Sequence, residues 1–191
     1  MSSLYHRLAF VLLGVFLLLA SLLFLLYESS TKHLQLETSQ KLHLHLAEYL
    51  VQEIKLFKKN QLDIKRVKEA FSKVMHIDPA TELYIIDPKG KVLAYDAPDE
   101  KIKQYYIDLH PIKRFLKHPD KLPIVGDDPR SIQQKVFSVA PIYKNIPYHG
   151  TQSLVGYLYI IIEGELYDSI ATTIKENKTW RHGLFLIDRK S

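Results

Sequence analysis

Five side chains with chemical capacity fall within nine residues: Asp127, Asp128, Arg130, Ser131 and Lys135. Arg130 carries the planar fork that grips a carboxylate or phosphate through two parallel hydrogen bonds, which Lys cannot imitate. Lys135 would add a point charge beside it. A plainer arrangement competes and carries more weight. In it Asp127 and Asp128 cap a turn, and Arg130 pairs with one of them to brace the loop. Exposed pairs of that kind are common and contribute only about 0–1 kcal/mol. Asp127 and Asp128 are too few for a calcium cage, which takes about six to eight oxygens. A cation bridging them to lipid phosphates therefore ranks low, and no metal or other cofactor is assigned.

Other chemistries find less support. His43 and His45 lie two apart on a predicted helix and point about 200° apart, so they cannot share a metal ion, which needs a spacing of three or four. His33 is too far from His43 for a single-turn site. His110, His118 and His149 fall in predicted loops, where they could titrate in mildly acidic surroundings. No G-x-S-x-G elbow is present, and no cysteine nucleophile exists. Asp96, Asp99 and Glu100 form a turn cluster. The tyrosines at 84, 95, 105, 106, 143, 157 and 159 fall mostly on predicted strands, where cross-strand packing is their ordinary work. Tyr84, Tyr95 and Tyr157 are also candidates to line a pocket.

The elements that must position these residues follow from pattern. Leu8 to Tyr27 is an uncharged apolar run with ten Leu, three Phe and two Val. At about 1.5 Å per residue it is about 30 Å long, the thickness of a bilayer core. Inserting those side chains gains about 5–9 kcal/mol. A cleaved signal peptide normally has an apolar region of about 7–15 residues ending at small residues. Here the run is longer and ends in Leu-Leu-Tyr-Glu, so an uncleaved anchor is expected. Arg7 precedes the run and Glu28 follows it, which keeps the short tail in the cytoplasm and places the rest outside.

Residues 28–59 contain neither Pro nor Gly, and Leu42, Leu46, Leu50, Ile54 and Phe57 recur at steps of three or four. That spacing predicts one long helix. Its apolar stripe either packs on the following domain or also forms a homodimer seam. A second helix is predicted over Ile64 to His76, stopped by Asp78-Pro79. Residues 82–95 read as a hairpin turning at Pro88-Lys89-Gly90. A polar excursion over 96–133 holds one helix near Pro111 to His118 and a loop over 122–131. Gln134 to Ile142 and Leu154 to Glu163 read as strands, the latter central, and Gly164 to Lys178 as a final helix. The fold class is therefore α+β: an apolar helix continuing into a long helix, then an antiparallel sheet packed by helices on one side.

Composition bounds the partners. The chain has 191 residues and a net charge of +5. Lys and Arg number 26 in all, and Arg7 alone precedes residue 28. The exported part is mildly basic and mixed in sign, without a basic cluster interleaved with aromatics, so no nucleic acid is expected. About 160 residues suffice for one domain with its own core.

The apolar helix, the strand-Asp-Pro-Lys-Gly-Lys-Val-Leu-Ala hairpin, Gly126-Asp-Asp-Pro-Arg-Ser131, Lys135-Val-Phe-Ser-Val-Ala-Pro-Ile142 and Gly156-Tyr-Leu-Tyr-Ile160 together resemble the periplasmic PAS-like (Cache-type) sensor region of bacterial two-component sensor histidine kinases. The resemblance covers residues 1 to about 180. It implies a cytoplasmic tail at 1–7, a transmembrane helix at 8–27 and a long extracytoplasmic helix at 28–60. A PAS-like sensor domain would span 61–179, with a tail at 180–191. It also implies a bacterial inner-membrane protein, single-pass, with its domain in the periplasm. The excursion would close over the sheet and form a pocket for a small ligand near Arg130. A second membrane helix near Trp180 and the kinase modules would follow in a complete relative. Here only Leu184 to Ile187 is apolar before Asp188, and no G-x-G-x-x-G occurs. The expected role is therefore signal input without kinase chemistry, either in a truncated product or alongside separate partners. A membrane-anchored scaffold of the cell envelope is the alternative, and an anchored enzyme ranks last.

Overall fold

The computed structural model describes residues 4–54, 56–58, 61–145 and 152–164. The predicted final helix at 164–178, His149 and the tail at 180–191 lie outside the described residues, except for Gly164. By compactness the chain divides into two units, 1–38 and 39–191.

The first unit is a helix. It belongs to α1 (Leu4–Leu42), which contains the whole predicted apolar segment. This stretch has a mean hydropathy of 3.0 and none of it is buried. It is long and apolar enough to span a membrane.

The second unit opens with the end of α1, and here the predicted long helix is interrupted. A turn at 43–45 separates α1 from α2 (Leu46–Glu53). Bonds shift to the shorter i→i−3 spacing, with His43 N donating to Gln40 O at 3.2 Å and Leu46 N to His43 O at 3.1 Å. Tertiary bonds compensate the break. Ala47 N donates to Ser138 Oγ, and that hydroxyl donates to Leu44 O. With neither Gly nor Pro nearby, nothing local announced the turn.

Next come the two-residue strands β1 (Phe57–Lys58) and β2 (Gln61–Leu62), paired antiparallel. Phe57 therefore lies on a strand, not on the predicted helix. Helix α3 (Ile64–Ile77) agrees with the predicted span, and Asp63 caps it by accepting from Arg66 N. Strands β3 (Glu82–Ile86) and β4 (Val92–Tyr95) form the predicted hairpin. Gly90 takes φ +94° at its turn, a conformation that disfavours any side chain. The excursion contains a short 3₁₀ turn (Asp99–Lys101) and α4 (Leu109–Lys117). His110 thus lies on a helix, where a loop was expected, and His118 caps its end, close to the predicted stop. Inside the predicted loop is the strand β5 (Val125–Asp127). The long strands β6 (Gln134–Asn145) and β7 (Gln152–Ile161) complete the sheet.

The five strands lie in the order β4-β3-β7-β6-β5, every pair antiparallel. β7 is central, as its apolarity predicted. Both faces are covered, not one. Leu83, Ile85, Ala140, Leu158 and Ile160 pack with Ala47 and Leu50 of α2 and Val67 and Phe71 of α3. Tyr84, Ile86, Phe137, Tyr159 and Ile161 pack beneath the excursion, with Ile112 and Phe115 of α4. This explains why β3 is buried at every residue: with a layer on each side, alternation of apolar and polar residues disappears.

Candidate functional site

The alternation of β3 places Glu82 and Tyr84 on the face beneath the excursion. Glu82 is buried, and its Oε2 accepts a 2.7 Å hydrogen bond from the Tyr84 hydroxyl. Burial and the neighbouring Glu82 charge push the Tyr84 hydroxyl well above its usual range, so it stays a donor. Arg130 reaches the same spot from the turn after β5. Its Nη1 lies 3.4 Å from Glu82 Oε1, and its Nη2 donates to Asp96 O at 3.1 Å. Among the described residues Arg130 Nε has no hydrogen-bond partner.

Asp128 and Lys135 complete the cluster. Asp128 Oδ1 accepts from Arg130 N, the turn cap expected of it. Its Oδ2 has no hydrogen-bond partner among the described residues and stands 3.6 Å from Lys135 Nζ. Burial, then Glu82, holds the Asp128 carboxyl above the ordinary carboxylate range. Lys135 Nζ donates to Glu163 O at 2.9 Å. The side chains of Glu82, Asp128, Arg130 and Lys135 are all at most 9 % exposed. Two carboxylates thus face two cations, which lowers the cost of burying any of them.

The cluster fastens the point where the chain leaves β7. Besides the Lys135 bond, Ile162 N donates to Val136 O and Gly164 N to Ala80 O. Glu163 sits at φ +62°, which is uncommon for a residue with a side chain. Gly164 runs so close to Glu82 that a Cβ would lie 2.5 Å from Oε1.

Arg130 therefore pairs with Glu82, not with Asp127 or Asp128, and its fork is turned into the protein. Asp127 is engaged elsewhere: its Oδ2 accepts from Asp108 N and its carbonyl from the Tyr159 hydroxyl. Ser131 Oγ accepts from Gln133 N within its own turn. Tyr84 is in the core, Tyr157 is 7 % exposed, and Tyr95 is half-buried with Lys68 Nζ 5.4 Å from its ring centre. Of the candidate seam, Leu50 is core and Leu46, Ile54 and Phe57 pack against the same cluster, whereas Leu42 is exposed. Among the described residues no group of His, Asp or Glu is arranged to hold a metal.

The open space lies elsewhere. A groove of about 420 Å³ runs between α2, α4 and the outer edge of β6, lined by Leu44, Val51, Phe115, Leu116 and Tyr143 among others. β5 pairs β6 only from Gln134 to Val136. Beyond that, Gln40 takes the place of a strand. Fully buried, its Nε2 donates to Phe137 O and Ile124 O, and its Oε1 accepts from Ile124 N. By strand alternation Val139 and Pro141 turn their backbones to this same edge, and Pro141 offers no N–H there.

Two residues of this architecture escaped sequence reasoning. Glu82 was legible in principle, since strand alternation puts it beside Tyr84. Gln40 had no signal, because its partners lie 84 and 97 residues away. No family model, no curated protein and no solved structure matches this chain.

Proposed function

We propose that this chain is a membrane-anchored, extracytoplasmic sensory domain of PAS-like fold, the signal-input part of a two-component sensor histidine kinase. The observation that carries this reading is the strand order. Numbered within the sheet, the strands lie second, first, fifth, fourth, third, and this antiparallel order supports the PAS-like reading. Its physical consequence is that the last strand is central, next to the first. Any rearrangement of the sheet is then felt at Glu163 and Gly164, where the chain departs. A ligand acts there only by binding two arrangements unequally.

The test is a thermal-shift screen of the full chain in detergent against small polar and anionic metabolites, followed by hydrogen exchange. A sensing domain gains melting temperature with one of them, and amides of β7 near Gly164 change their protection on binding. If no ligand shifts melting, the sensor reading fails.

One observation favours the scaffold alternative. The buried polar cluster is closed, whereas the groove beside β6 is open and largely apolar, with Leu116 and Tyr143 partly exposed in it. A scaffold would use such a surface to hold another protein.

A further inference from the structure

Helix α4 has two unlike sides. Ile112 and Phe115 are buried, and the Phe115 ring lies 5.3 Å from that of Phe137. His110, Lys113, Arg114 and Lys117 fall at i, i+3, i+4 and i+7, which is a single stripe, and all are exposed. Lys121 extends the series beyond the helix and is also exposed. Among the described residues Lys113, Arg114, Lys117 and Lys121 form no ion pair. Residues 109–121 hold these four cations against Asp120 alone, so they carry +3 of the chain's +5.

A solvated face normally interleaves both signs. The helix dipole accounts for cations only in the last turn, where Arg114 and Lys117 lie. It does not account for Lys113 or Lys121. Leu116, next to the stripe on the same helix, is 40 % exposed. An exposed cationic face without ion-pair partners is suited to an anionic surface. The chain also carries a helix long and apolar enough to span a membrane, and a tethered surface is met at high effective concentration.

We propose that the basic face of α4 rests on anionic phospholipid headgroups. This inference depends on the membrane anchoring in the sensor reading and not on sensing itself. Each Lys or Arg close to an anionic surface strengthens such contact about fivefold.

The test uses the full chain reconstituted in vesicles of phosphatidylcholine alone and of phosphatidylcholine mixed with phosphatidylglycerol. Flotation checks anchoring, and a water-soluble acetylating reagent reads each lysine by peptide mass spectrometry. Lys113 and Lys117 are expected to react about fivefold more slowly in the anionic vesicles, with the difference lost in high salt. Lys73, exposed on α3, serves as the internal standard. The charge reversal Arg114→Glu should weaken the lipid dependence without unfolding the domain. Equal rates in both lipids, or equal slowing of Lys73, overturn the proposal. Equal rates in both lipids with protection by added polyglutamate would replace lipid by an acidic polypeptide. Loss of flotation in both lipids would overturn the anchoring as well.

Discussion

Arg130 Nη1 stands 3.4 Å from Glu82 Oε1, with the arginine side chain 9 % exposed and the glutamate 2 %. The turn after β5 is thereby bolted to the first strand of the sheet. Removing the guanidinium takes the opposite charge away from a buried carboxylate, and breaking a buried pair in this way costs about 3–5 kcal/mol. Arg130→Met should therefore be strongly destabilising by urea titration. The double variant Arg130→Met with Glu82→Leu should recover a large part of that loss, because neither charge then remains. A double variant as unstable as the single one would show that the pair is not what holds this corner.

Gln40 makes three buried hydrogen bonds to the backbones of Ile124 and Phe137. Gln40→Leu keeps the bulk but strands those groups. The expected loss is on the order of 2–3 kcal/mol, measured by the same titration. Faster hydrogen exchange at Ile124 should accompany it. Unchanged stability would mean that the side chain is not the surrogate strand described above.

Gly156 lies against the β3 backbone, where an added Cβ would collide with Ile86 O. The obstacle is backbone in the middle of a sheet and cannot swing aside. Gly156→Ala should cost about 1–3 kcal/mol, lowering the melting temperature by several degrees. Gly14, with nothing within 4 Å of its Cβ position, is the matched control. Gly14→Ala should leave the melting of the domain unmoved.

Asp128 links stability to pH. Burial and Glu82 raise its folded pKa above the ordinary 3.8, so the folded state holds the proton more tightly than the unfolded one. Its contribution to stability thus grows as pH falls through the raised value, and is fully present only below 3.8. Asp128→Asn cannot titrate and lacks this term. Urea midpoints at neutral and mildly acidic pH should show wild type improving relative to the variant on acidification. The opposite slope would mean that the pairing with Lys135 outweighs desolvation.

Much of the fold was legible because it rests on local pattern. The apolar segment within α1, the Gly90 hairpin, α3 behind Asp63 and the central place of β7 all follow from composition and spacing. What stayed hidden depends on distant residues. The turn at 43–45 exists because Gln40 and Ala47 find partners on Phe137, Ile124 and Ser138, far along the chain. β5 is short, Gly-containing and bracketed by polar turns, so it read as loop. In the candidate site, Asp128 as a turn cap was readable from its neighbours. The partner of Arg130 was not, since Glu82 lies 48 residues earlier in sequence. The stripe Leu46, Leu50, Ile54 suited a core or a seam equally, and only the position of the sheet assigned its packing.

The most direct measurement is of sidedness. The chain has no cysteine, so a single Lys73→Cys on the exposed side of α3 gives one labelling site. In spheroplasts that express the full chain, a membrane-impermeant maleimide should label this cysteine without lysis, as a domain held outside the cytoplasm requires. Labelling only after lysis would place the domain in the cytoplasm and contradict the sensory reading at its root.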